Sequence, residues 1–189
     1  MLVIVLMLVA ASKPAAAQDH GRIEVAGGYL LMKSHDDDMT FPRGWFGSVA
    51  FDIVGPLAVV GEASGSYKSI SEFDAMSGVG ADFSASTHAF MGGPRLTWRM
   101  GRVAPHTQML FGLSRISSSV EWTNGVSSGT FARNNFAMTP GGGVDLWFSN
   151  RSAIRVGGSV RLIRADRFGP GSERYTFKEF QFITGVVFR

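Results

Sequence analysis

The sequence predicts an all-β protein, an eight-stranded antiparallel up-and-down barrel preceded by a cleavable signal peptide, and three observations carry that prediction. From Ile23 onward apolar residues fall on every second position, the period of strands whose two faces meet different surroundings, and helical spacing is nowhere sustained. The segments joining these runs alternate strictly between short and long. Ahead of them, Met1 to Ala11 is an unbroken apolar run followed closely by a small-residue site.

That first segment is an address. Its 11 residues are too few to span a bilayer as a helix, which takes about 20. Ser12-Lys13-Pro14 breaks the run, and Ala15-Ala16-Ala17 before Gln18 is a small-x-small site that a signal peptidase accepts. Cleavage is expected after Ala17, giving a signal peptide over 1–17 and a barrel domain over 18–189. No later stretch approaches 18 consecutive apolar residues, so no transmembrane helix is expected.

The strands follow in order. In the first, Ile23, Val25, Tyr29 and Leu31 share one parity and Glu24, Ala26 and Gly28 the other. The second sets Trp45, Val49, Phe51 and Ile53 against Phe46, Ser48, Ala50 and Asp52; the third sets Leu57, Val59 and Tyr67 against Glu62, Ser64, Ser66 and Lys68. In the fourth, Phe90, Leu96 and Trp98 oppose Ala89, Met91 and Arg95, and in the fifth Met109, Phe111 and Leu113 oppose His106, Gln108 and Ser114. The sixth divides Phe136, Met138, Val144 and Leu146 from Ala137, Thr139 and Asp145; the seventh divides Ile154, Val156, Val160 and Leu162 from Arg155, Ser159 and Arg161. The eighth sets Phe180, Phe182, Val186 and Phe188 against Glu179, Gln181 and Ile183. Gly55-Pro56, Met100-Gly101-Arg102 and Ser149-Asn150-Arg151 are tight turns, whereas Ser34 to Arg43, Ser69 to Phe83, Ser117 to Asn134 and Ala165 to Arg174 are long and polar. Short turns on the side of the termini and long loops on the other are what an up-and-down sheet produces. Pro94, Pro105 and Pro140 each lack a ladder donor, so bulges are expected there. Gly141-Gly142-Gly143 is expected to let the sixth strand bend.

Period two does not say whether the apolar face points into a soluble core or out into lipid. Composition decides. Of the 189 residues only 17% are charged, against about 25% in globular proteins, while 45% are hydrophobic. The polar parity is mostly Gly, Ala and Ser with isolated charges, which suits a narrow lumen better than a solvated surface. Aromatic residues gather near strand ends, where membrane interfaces place a girdle: Tyr29, Trp45, Tyr67, Trp98, Trp147, Phe180 and Phe188. In hydrocarbon a sheet can span only if it closes on itself. These features favour a transmembrane β-barrel over a soluble, ligand-binding, lipocalin-like one. The scattered basic residues make no nucleic-acid footprint, and the absence of Cys excludes a disulfide framework and a thiolate zinc site.

At this point the chain resembles the OmpA-like transmembrane domains, the small eight-stranded outer-membrane β-barrels of Gram-negative bacteria. The residues that carry the resemblance are Ala15-Ala16-Ala17, Gly92-Gly93-Pro94-Arg95, Gly141-Gly142-Gly143-Val144-Asp145-Leu146 and Thr184-Gly185-Val186-Val187-Phe188-Arg189. The resemblance implies outer-membrane lipid and the barrel-assembly machinery as partners, export through the periplasm, and a monomer. In that family the last residue is usually aromatic and read by the assembly machinery; here Phe188 is followed by Arg189.

The inward charges are the constellation best motivated by chemistry. Glu24, Asp52, Glu62, Asp145 and Glu179 face Arg22, Lys68, Arg95, Arg155 and Arg161 across a lumen just wide enough to be filled by side chains, where a charge must be paired. Structural plugging is the first reading of this network, and a narrow, gated conductance for small solutes the second. A lipid A-modifying enzyme would need a Ser and a His oriented by a carboxylate; His88 lies two residues after Ser86, and His106 adjoins neither in sequence. No catalytic residue, cofactor or metal is assigned: Asp36-Asp37-Asp38 lacks the ladder of a calcium loop, and neither Gly141-Gly142-Gly143 nor Gly169-Pro170-Gly171 is followed by the Lys-Ser/Thr of a phosphate cradle. Asn124-Gly125 between Val120-Glu121-Trp122 and Val126-Ser127 signals a hairpin tip standing beyond the membrane. The expected roles are envelope structure and surface interaction through four extracellular loops.

Overall fold

The computed structural model describes residues 23–34, 40–74, 79–122, 129–166 and 174–189. The strands are β1 (Ile23–Ser34), β2 (Thr40–Phe41), β3 (Arg43–Val54), β4 (Leu57–Asp74), β5 (Val79–Thr97), β6 (Val103–Trp122), β7 (Gly129–Trp147), β8 (Ser152–Asp166) and β9 (Arg174–Phe188). All neighbouring pairs are antiparallel, and β1 also pairs with β9, so the sheet closes into a barrel of eight walls. The two-residue β2 belongs to the same wall as β3. Pro42 separates them: it lacks an N–H for the ladder, and the register to β1 shifts by one between Tyr29–Trp45 and Met32–Phe41. The Tyr29 hydroxyl donates to the Pro42 carbonyl at this bulge.

The register also fixes the tilt. From Asp52 the cross-strand partners run through Ala58, Arg95, Gln108, Gly141, Ser159 and Gln181 to Met32, whereas Phe51, beside Asp52, pairs with Ile23. One circuit therefore climbs roughly ten residues along β1, a stagger that requires strands inclined by roughly 35–45°. At about 3.3 Å per residue and that incline, nine residues rise roughly 23 Å. The outward apolar run Phe180–Phe188 in β9 has this length, which matches an apolar band about 25 Å tall.

The turns near the termini are tight. Gly55, with φ of 56°, opens the two-residue turn to Pro56 in a left-handed conformation that glycine adopts without strain. Gly101 does the same between Met100 and Val103, whose backbones exchange both hydrogen bonds. In the third turn the Ser149 hydroxyl accepts from the Arg151 and Ser152 amides. On the opposite side the strands run further than their apolar periodicity predicts. The segments expected as loops over Ser69–Phe83 and Ser117–Asn134 are largely ladder, with Asp74 pairing Val79 and Val120 pairing Gly129. Asn124-Gly125, Asp36-Asp37-Asp38, Gly169-Pro170-Gly171, Arg22 and the signal segment lie outside the described residues.

No bulge accompanies Pro94, Pro105 or Pro140. The register is unchanged across each; Pro94 keeps its partner Val59 in β4 while Gly93 and Pro94 lose pairing to β6, and Pro140 keeps Met109 while Thr139 and Pro140 lose pairing to β8. A missing N–H on one side of a strand thus interrupts one ladder and spares the other. Gly141-Gly142-Gly143 stays in register with β6, and a side chain on Gly143 would stand 3.1 Å from the His106 ring.

Polarity is inverted relative to a water-soluble barrel. Phe111, Val156 and Phe182 point outward with 44%, 55% and 60% exposure, while Arg155 points at the axis with 1%. Apolar side chains share the interior with the inward charges: Ala50, Val60, Ala89, Met91, Leu110, Ala137 and Ile163 form one cluster, and Ala26, Phe46, Ala153 and Val187 another.

Candidate functional site

The inward charges meet in a column along the axis. Its centre is Arg155 of β8, whose Nε and Nη2 donate to the two carboxylate oxygens of Asp145 at 2.7 Å each, the cross-strand partner on β7. The same Nη2 donates to Glu24 Oε1 at 2.6 Å, and Arg95 Nη1 reaches that oxygen at 3.3 Å from β5. Glu24 thus joins strands that are not neighbours in the wall. Gln108 extends the chain: its Oε1 accepts from Arg95 Nε and Nη2 at 3.0 and 2.7 Å, and Glu62 lies in the field of Arg161, Arg95 and Arg155. Nearer the loops, Arg161 lies opposite Glu179 at 3.6 Å and donates to the Ser64 hydroxyl at 2.8 Å. With the Gln181 amide turned so that its oxygen faces Arg161, that oxygen accepts from both guanidinium nitrogens at 2.9 and 3.2 Å. Glu24, Arg95, Asp145, Arg155, Arg161 and Glu179 are buried, where a lone charge is expensive, and the short contacts around Arg155 are what make that part of the column tolerable.

Toward the turns the column ends in a basic mouth. Asp52 accepts from Arg99 at 2.7 Å and lies 3.8 Å from Arg189, which is 3.9 Å from Glu24 and stands over the Trp147 ring at 4.9 Å. Trp147 corrects one expectation. It does not join the outward girdle: it packs against the turn-side cluster of Ala26, Phe46, Ala153 and Val187 on the inward parity of β7 and covers the end of the lumen. Tyr29, Trp45, Tyr67, Phe180 and Phe188 are exposed on the outer wall, and Trp98 is half-buried one residue past β5.

Sequence reasoning passed over several members of the column. Gln108, Gln181 and His106 carry the inward parity but no permanent charge, and Arg189 continues the inward parity of β9 past its last ladder residue. His106 Nδ1 comes within 3.9 Å of Asp145, a carboxylate distant from it in sequence. Of the expected members, Asp52 sits at the mouth, Lys68 is half-buried at the loop-side rim, and Arg22 falls outside the described residues.

His88 faces the outer wall instead. Its Nε2 lies 3.0 Å from the Tyr67 hydroxyl, whose ring it meets edge-on, and Tyr67 accepts the Trp45 indole N–H at 3.3 Å. The five carboxylates with described side chains (Glu24, Asp52, Glu62, Asp145 and Glu179) all face the axis, so none of them orients His88 for catalysis. Among the described residues no group of three or more metal-binding side chains is arranged to hold an ion.

No protein-family profile and no curated protein sequence matches the chain. Solved structures do. The attachment invasion locus protein Ail of Yersinia pestis, solved in complex with the heparin analogue sucrose octasulfate, superimposes with a TM-score of 0.58 at 14% identity, covering 90% of this chain and 99% of that one. Neisserial surface protein A gives 0.58 at 13% identity over 90% and 99%. This chain has the fold of the small eight-stranded outer-membrane β-barrels. The outer-membrane barrel OprG from Pseudomonas aeruginosa is similar with a TM-score of 0.55, 10% identity and coverage of 92% and 98%. At these identities the likeness to these outer-membrane barrels lies in architecture.

Proposed function

We propose that the chain is a bacterial outer-membrane protein with a plugged lumen, exported through the periplasm, that supports the envelope and presents a surface for interaction on its loop side. The observation that carries this reading is the inversion of polarity: an apolar band of membrane height outside, and at the axis a column of buried, closely spaced charges, which favours a plug. The loop side supports the second half. β4 to β7 continue well past the band as one four-stranded sheet, with Ala81 pairing Trp122 beyond the rim. The architectural neighbours include an attachment protein and a surface protein, which suits such a platform. The reading is non-enzymatic, because His88 is engaged by aromatic neighbours.

Recordings across planar bilayers are expected to show no steady conducting level for the wild type. A stable open level of small conductance would replace the plug by a narrow pore for small solutes. A change in the acyl chains of lipid A incubated with the purified barrel would replace both by an enzyme.

A further inference from the structure

The outer wall carries a level of cations that the lumenal column does not use. Lys33, Arg43, Arg115, Arg164 and Lys178 are all exposed, and all have the outward parity of their strands. Followed through the register and the stagger, they fall within roughly one turn-height of each other at the loop-side edge of the apolar band. Where side chains are described, the charges on this face are cationic, and the five carboxylates so described, Glu24, Asp52, Glu62, Asp145 and Glu179, point at the axis. Cations at one height beside a greasy band suit the anionic groups of lipid headgroups.

On β3 to β6 this level becomes a shaped site. One cross-strand row reads Arg43, Tyr67, Ser86, Ser117, and the row below it reads Trp45, Gly65, His88, Arg115. Above Tyr67, at the loop-side rim, a cavity of about 230 Å³ is lined by Arg43, by serine side chains of β4, β5 and β6, and by Lys68 and Ala85 of the inward parity. The ingredients are specific. Guanidinium groups match phosphate in charge and geometry, hydroxyls exchange hydrogen bonds with sugar hydroxyls, and Trp45 and Phe90 below continue into the band where acyl chains would lie.

We propose that this cavity holds the headgroup of a phosphorylated glycolipid from the loop-side leaflet, with Arg43 of the lining on one phosphate, Arg115, one row below the lining, on a second, and the serine floor under the sugar. The proposal rests on the membrane placement given above and deepens it by naming the lipid class that the wall selects.

The full chain would be reconstituted in phosphatidylcholine nanodiscs doped with lipid A, and co-purifying lipid measured by native mass spectrometry. Saturable retention of lipid A is expected, at least about tenfold weaker in the Arg43→Gln/Arg115→Gln double variant, which loses two charge-assisted contacts. Ser86→Leu, which fills the cavity without altering charge, should weaken retention comparably. Removing the phosphates from the lipid should abolish the preference, and the deacylated phosphorylated disaccharide should bind far less tightly than the intact lipid. Equal retention of phosphatidylglycerol and lipid A would reduce the site to a general anionic belt and overturn the sugar assignment. Equal binding of the deacylated disaccharide would make the ligand a soluble one and overturn the lipid assignment. A wild type that inserts, shifts its gel mobility on heating and retains no lipid A would overturn the headgroup site while leaving the membrane reading standing; a chain that fails to insert would remove both.

Discussion

Replacing Arg155 with methionine is expected to lower folding stability by about 3–5 kcal/mol, the cost of breaking a buried ion pair from one side. The mechanism is specific to the column. Arg155 supplies two hydrogen bonds to Asp145 and a 2.6 Å contact to Glu24, so its loss strands two carboxylates at the axis, with Arg95 at 3.3 Å and Arg189 at 3.9 Å left near Glu24 among the described residues. Unfolding by urea in lipid vesicles, read as loss of the fast-migrating unheated band, measures the effect. The triple variant Glu24→Gln/Asp145→Asn/Arg155→Met removes the stranded charges and is expected to regain most of the loss. If single and triple variants fell by the same amount, the cost would come from packing and not from uncompensated charge.

The second large effect is expected at the seam where β1 meets β9. Gly28 and Gly185 face each other in the register, and a Cβ on Gly28 would stand 2.2 Å from the Thr184 carbonyl oxygen and 2.4 Å from the Gly185 Cα. A Cβ on Gly185 would stand 2.3 Å from the Gly27 carbonyl oxygen. These obstacles are backbone, so no side-chain rotation relieves them, and the strands must part. Parting is unusually harmful here because an opened barrel exposes unpaired N–H and C=O groups along two edges. Gly28→Val is expected to cost about 3 kcal/mol, the upper end of overpacking penalties, and to slow acquisition of the heat-sensitive compact band on refolding into vesicles. Val25→Leu, on the outward face of the same strand, is the control and should refold like the wild type.

Much of this barrel is legible in the sequence, and the boundary of what is legible has a physical cause. Period two reports a difference between two environments, so it is clear wherever one face is apolar: Ile23 to Leu31 and Phe180 to Phe188 read directly. Above the band the outward positions become Ser84, Ser86, Ser117 and Ser119. The ladder continues there, but both faces are polar and the periodic signal vanishes, which is why β4 to β7 were expected to end early. The inward charges are likewise visible from parity, whereas their partners are not. Glu24 meets Arg95 only because the stagger carries β1 and β5 to matching heights across the lumen, a relation absent from any single strand. Trp147 shows the opposite failure: clustering of aromatics near strand ends placed it outward, although the parity of Asp145 on its own strand placed it inside, and parity prevailed.

The absence of cysteine permits the most direct test of the inverted wall. Single cysteines introduced in turn from Phe180 to Phe188 of the barrel reconstituted in vesicles would carry nitroxide labels, and collision with oxygen and with a water-soluble nickel chelate would be measured at each. Oxygen accessibility is expected to peak at 180, 182, 184, 186 and 188 and to fall at the positions between, with the nickel chelate excluded from the outward positions in mid-wall. High nickel accessibility at 182, 184 and 186 would place that face in water and contradict a barrel set in lipid.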